Sequence, residues 1–130
     1  GVLGSGEFVL IVDDESVIRE TLGTLLTRLG FESIAAADGA EALIQLGQYN
    51  DDIKLVITDI NMPVMDGVAL ARILRRMTPD LPLIAMSGLQ DEARVAQLRE
   101  LGGIHLLGKP FGMASLTEAV RSAMARIVRD

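Results

Sequence analysis

Cysteine and tryptophan are absent from this 130-residue chain, and its aromatic residues are limited to three Phe and one Tyr. Without cysteine there is neither a disulfide framework nor a thiolate metal site. With so few rings and 49% apolar residues, the core has to be built from Leu, Ile, Val, Ala and Met. That palette suits a parallel sheet covered by helices better than a small all-β fold. The one histidine, His105, has no second His or Cys beside it and reads as a strand residue rather than a metal ligand. Positive charge is scarce as well: 12 basic against 18 acidic residues give a net charge of −6. Such a balance argues against a nucleic-acid surface and against adhesion to an anionic membrane. No apolar run reaches the length of a membrane span, and no charged-then-apolar signal segment opens the chain. A soluble, cytoplasmic domain is the expectation.

What is present alternates strand and helix five times. Gly1-Val2-Leu3-Gly4-Ser5-Gly6 has no periodicity and reads as a disordered leader over 1–6, leaving one domain over 7–130. Phe8 to Val12 is a short apolar run expected as a buried strand, followed by a helical face of Ile18, Leu22, Leu25, Leu26 and Leu29 that Gly30 stops. Phe31 to Ala36 is the second strand, and Asp38 is placed to cap a helix through Ala42, Leu43 and Leu46. Leu55 to Thr58, Leu81 to Met86 and Ile104 to Leu107 are the remaining strands. Helices through Val68, Ile73 and Leu74, through Val95 and Leu98, and through Leu116, Val120, Ala123, Met124 and Ile127 follow them. Connections this short force parallel strands, giving an open, doubly wound five-stranded α/β sheet with helices on both faces. The six methionines are scattered and read as core filler.

In such a sheet, ligands bind at the carboxyl ends of the strands. The first strand ends in Asp13-Asp14, the third in Asp59, the fourth in Ser87, and the fifth is followed by Lys109-Pro110; the second ends in alanines. Each feature alone has an ordinary reading. Asp13-Asp14 could be a solvated turn, Ser87 a helix cap and Lys109 a surface cation; Asp91-Glu92 reads as the first turn of a helix, favoured there by its dipole. Together they make one constellation. Three carboxylates converging on one edge resist ionisation unless a cation lies between them. Oxygen ligands of this kind suit a hard ion such as Mg²⁺. A carboxylate nucleophile can form an acyl phosphate, with the cation, an ammonium and a hydroxyl stabilising the transferring group. The residues therefore point to Asp59 as nucleophile, Asp14 with Asp13 as metal-holding acids, and Lys109 and Ser87 as phosphate-binding groups.

The pieces Val12-Asp13-Asp14-Glu15, Thr58-Asp59-Ile60-Asn61-Met62-Pro63-Val64-Met65-Asp66-Gly67, Met86-Ser87-Gly88 and Gly108-Lys109-Pro110-Phe111 resemble the CheY-like receiver domains of two-component response regulators. The resemblance runs in order from about Glu7 to the end of the chain. It implies the flavodoxin-like (βα)5 fold with strand order 2-1-3-4-5. It implies that Asp59 accepts a phosphoryl group from a histidine kinase or histidine phosphotransfer protein. It further implies Mg²⁺ contacts from Asp14, Asp59 and the backbone carbonyl of Asn61, with Asp13 acting through water. The Lys-Pro peptide is usually cis in that family, which carries to Lys109–Pro110. A phosphoacceptor of this kind catalyses its own phosphorylation and dephosphorylation and is not otherwise an enzyme. Its output would pass to a target or output domain through the face of the fourth helix, fifth strand and fifth helix.

Three other functions fit the same residues less well. An aspartate-nucleophile phosphatase would want an acid two residues after the nucleophile, where Asn61 stands. A nucleotide or flavin domain would want a glycine-rich first turn, which is missing. A degenerate receiver acting as a phosphorylation-independent binding module would not need the clustered acids. Two positions depart from the family or tune it. Leu106 occupies the position where the family commonly carries an inward-turning Tyr or Phe, so coupling to the output face should differ. Leu89, apolar beside the site, cannot orient an attacking water, so slow loss of phosphate is expected. Replacing Leu106 with Tyr is expected to change affinity for the target while leaving phosphorylation intact; affinity unchanged from the parent in both phosphorylation states would contradict that.

Overall fold

The computed structural model of the chain describes residues 3–129. Gly1, Val2, Asp130 and the side chains of residues 50 and 126–129, Ile127 among them, lie outside the described set. Five strands, β1 Phe8–Val12, β2 Glu32–Ala36, β3 Ile53–Asp59, β4 Leu83–Ser87 and β5 Ile104–Gly108, alternate with five helices. The helices are α1 Ser16–Arg28, α2 Gly39–Tyr49, α3 Gly67–Met77, α4 Glu92–Leu101 and α5 Met113–Arg129. All strand pairings are parallel, in the order β2-β1-β3-β4-β5.

The apolar runs become strands because a parallel sheet buries both of its faces. Alternation along each run then splits the side chains between two cores. Val9 and Ile11 of β1, Leu55 and Ile57 of β3, and Ile84 and Met86 of β4 join Leu22 and Leu26 of α1 and Leu116 and Val120 of α5. Leu10, Val12 and Val56 face the other way, toward Ala42 of α2, Leu70 and Leu74 of α3, and Leu98 of α4. Met62, Met65, Met86, Met113 and Met124 fill gaps in these cores, whereas Met77 is 63% exposed. Among the described residues no helix is long and apolar enough to cross a membrane.

Gly30 ends α1 as expected. Its φ of 97° lets its own N–H reach Thr27 O and the Phe31 N–H reach Leu26 O, both at 3.0 Å, while Phe31 and Leu26 share a core. For residues 3–6 that turn runs against the expectation of a disordered leader; Gly1 and Val2 of the same stretch lie outside the described residues. Leu3 and Gly4 donate to Leu29 O at 2.9 and 2.8 Å, Gly6 donates to Gly30 O at 2.8 Å, and Leu3 packs on the second core. Gly4 is buried so tightly that a Cβ there would lie 2.7 Å from Gly30 O.

Gly67 at the start of α3 matters more for the site. Its N–H donates to Ile60 O at 2.8 Å, and a Cβ on it would lie 2.3 Å from the carbonyl oxygen of Asp59. Asp66 caps the helix by accepting from the Ala69 N–H at 2.9 Å. The start of α3 is thus pressed directly onto the end of β3. Gly67→Ala is expected to lower unfolding free energy by about 1–3 kcal/mol in a denaturant titration, the usual cost of overpacking; an unchanged midpoint would contradict that contact.

Candidate functional site

Strand register brings the polar strand ends together. Val12 pairs with Thr58, Asp59 with Met86, and Ser87 with Gly108. Asp59 and Ser87 therefore end their strands, and Asp13 and Lys109 directly follow theirs, all at one edge of the sheet. Asp13, Asp14 and Asp59 each offer an oxygen, and these oxygens lie within 4.8 Å of one another. Asp59 and Asp13 are 4% and 1% exposed, while Asp14 is exposed. Lys109 Nζ donates to Asp59 Oδ1 at 2.7 Å. The Lys109 backbone N–H donates to Ser87 O at 2.7 Å, and the Lys109–Pro110 peptide is cis.

The electrostatics leave a deficit of positive charge. Two unit charges 4.8 Å apart repel by about 3 kcal/mol at an effective dielectric near 20. Three carboxylates against one ammonium leave two negative charges uncompensated when all are ionised. Asp13 takes most of the strain. Its Oδ1 accepts from the Glu15 N–H at 2.8 Å, whereas its Oδ2 is buried without a hydrogen-bond partner. Burial, with the charges of Asp59 and Asp14, pushes its carboxyl up to about 6, against the pull of the Glu15 amide and Lys109. Burial alone would lower the pKa of Lys109, but the hydrogen bond and charge of Asp59 raise it above its ordinary value. An orphaned buried carboxylate oxygen in an all-oxygen acidic cluster fits a hard divalent cation, so this cluster can hold a metal ion.

Other sequence-singled residues are placed less centrally. The Asn61 side chain turns away toward α4, donating to Asp91 Oδ1 at 2.6 Å and accepting from Arg94 through its Oδ1. Leu106 is half-buried, stands opposite Ala85 and packs on the α2–α3–α4 core. Leu89 is 96% exposed on the β4–α4 loop. Sequence reasoning missed Asp91, which is 6% exposed at the start of α4 and forms no capping bond to its own helix. It missed Arg94 too, whose Nε lies 3.6 Å from Asp66 Oδ2. Nor did it find Arg19, which braces the end of β1 by donating to Asp13 O at 2.8 Å.

A doubly wound (βα)5 sheet with acids at the ends of β1 and β3 and a lysine after β5 defines a phosphoacceptor class of signalling domain. Comparison with known proteins agrees. The family model for the response regulator receiver domain matches residues 9–121, and the chain belongs to that family. It is 40% identical over 119 residues to the transcriptional regulatory protein PrrA of Mycobacterium tuberculosis, covering 91% of this chain and 50% of PrrA. It is 37% identical over 118 residues to the aerobic respiration control protein ArcA of Escherichia coli, covering 91% and 48%. The crystal structure of a response regulator receiver domain protein from Clostridium thermocellum superposes with a TM-score of 0.86 at 29% identity, covering 92% of this chain and 94% of that one. The chain spans about half the length of the curated relatives it matches. Receiver domains take a phosphoryl group on an aspartate in two-component signalling, and that is the functional class of this chain.

The raised Asp13 carboxyl has a consequence for stability. An acid whose folded pKa is raised supports the fold only while protonated, so its contribution is full below 3.8 and is lost as pH rises through about 6. Without divalent cations, stability is expected to fall from about pH 4 to pH 7 by an amount on the order of 2 kcal/mol that Asp13→Asn removes. Parallel pH–stability curves for parent and variant would contradict this.

Proposed function

We propose that Asp59 is the phosphoacceptor, taking its phosphoryl group from the phosphohistidine of a histidine kinase or histidine phosphotransfer protein. The observation that carries this reading is the 2.7 Å contact of Lys109 Nζ with Asp59 Oδ1 inside a triad of carboxylates. A buried carboxylate with a cation on one oxygen is a nucleophile whose product charge is already met. An oxygen of Asp59 forms the new bond to phosphorus as the phosphorus–nitrogen bond breaks, and the electron pair leaves with the donor imidazole. Lys109, kept protonated by Asp59, faces the phosphoryl oxygens, and the Ser87 hydroxyl donates to one of them. Asp13, Asp14, Asp59 and the Asn61 backbone carbonyl would hold Mg²⁺, which supplies the remaining positive charge at the transferring group.

In this reading the domain catalyses its own phosphorylation and dephosphorylation and turns over no outside substrate; Asn61, two residues past the acceptor, offers no general acid for phosphatase work. The switched surface is the face of α4, β5 and α5. The matched relatives are about twice as long and are named as regulators of transcription and of aerobic respiration, which supports an output domain or target protein for this face. The net charge of −6 supports a receiver that does not itself touch nucleic acid, and a cytoplasmic location belongs to the same reading.

Intact mass after incubation with acetyl phosphate tests the assignment. The parent is expected to gain one phosphoryl group only when Mg²⁺ is present, and Asp59→Asn to gain none. No gain in the parent would favour a phosphorylation-independent binding module, and a gain that persists in the variant would move the acceptor elsewhere.

A further inference from the structure

The β3–α3 and β4–α4 loops are tied together across the mouth of the site by one side chain. Asp91 Oδ1 accepts from the Asn61 carboxamide at 2.6 Å, and its Oδ2 accepts from the Gly88 N–H at 2.7 Å. Asn61 lies two residues beyond Asp59, and Gly88 directly follows Ser87. Asp91 itself is 6% exposed, whereas Asn61 is exposed and Gly88 half-buried. Both of its oxygens accept from N–H donors, which is the acceptor-only behaviour of an ionised carboxylate. Arg94, one turn into α4, completes the tie by donating to Asn61 Oδ1 and pairing with Asp66 at 3.6 Å.

We propose that Asp91 is a positioning residue that serves as a resident anion at the mouth of the site, occupying the Gly88 and Asn61 donors in the unphosphorylated domain and giving them up when Asp59 carries a phosphoryl group. The inference rests on the reading of Asp59 as acceptor. A phosphoryl group adds nearly two negative charges and three strong acceptor oxygens. They would stand on the rim that Asp91 already occupies. Competition for the same donors and repulsion between like charges both act to expel the Asp91 carboxylate. Its departure breaks the direct tie between the start of α4 and Asn61, leaving only Arg94, on Asn61 and Asp66, to hold the first turn of α4 to the β3–α3 loop. Phosphorylation would thereby reach the α4 face without an aromatic ring at Leu106.

Phosphorylation rate with acetyl phosphate at saturating Mg²⁺ tests this in the parent and in Asp91→Asn, Asp91→Ala and Asp91→Glu, each first checked for a parent-like melt. Removing the anion in Asp91→Asn is expected to raise the rate about tenfold, the equivalent of one charge-assisted hydrogen bond, and Asp91→Glu to return it toward the parent value. Asp91→Ala is expected to match Asp91→Asn; if it does not fold, the near-isosteric Asn variant decides alone. Were Asp91 a merely structural tie, Asp91→Asn would react no faster than the parent, and that result overturns the inference by itself. A parent that takes up no phosphate overturns the assignment of Asp59, and this inference with it.

Discussion

Everything at this site follows from one repulsion. Three carboxylates are brought to a common edge with oxygens within 4.8 Å, and a single ammonium at 2.7 Å answers them. No local preference of the chain favours that arrangement; Asp13 and Asp59 would both be better solvated apart. It is imposed by the sheet, whose two aliphatic cores fix β1 against β3 and leave no freedom of register. The cost appears at Asp13, with one orphaned oxygen and a carboxyl raised to about 6. A fold that spends core energy to hold acids together is poised to gain when positive charge or a charge-dispersing reaction arrives.

The supports around that edge are chosen for closeness. Gly67 lets α3 start against the carbonyl of Asp59, Arg19 holds the end of β1, and the Lys109 backbone is bonded to β4 through Ser87. Each fixes one charged side chain to a strand rather than to a loop, which is how a site keeps its geometry under repulsion. The β4–α4 loop is held differently, by the Asp91 carboxylate and Arg94 instead of by apolar packing, and the exposed Leu89 lies on it. Polar ties of this kind break when competing charge appears, whereas packed cores do not deform continuously.

The sheet and the placing of Asp13, Asp14, Asp59, Ser87 and Lys109 were legible because each sits where an apolar run stops, and a doubly wound topology brings all such stops to one edge. The same reading could not place the Asn61 side chain. Its partner Asp91 is thirty positions away, and Asp91-Glu92 has the look of an ordinary helix start. The order in Leu3 to Gly6 was hidden for a related reason: it depends on the turn at Gly30 presenting its carbonyls, a tertiary event with no periodic signature. Strand ends are a local signal; hydrogen bonds between loops are not.

The most direct measurement is a calorimetric titration of the metal-free domain with Mg²⁺ at neutral pH, repeated with Asp13→Asn and Asp14→Asn. One site, bound tightly enough to raise the melting temperature of the parent and weakened in both variants, is the result expected if the uncompensated carboxylates exist to hold a cation. Absence of binding in the parent, or affinity that neither variant changes, would contradict that claim.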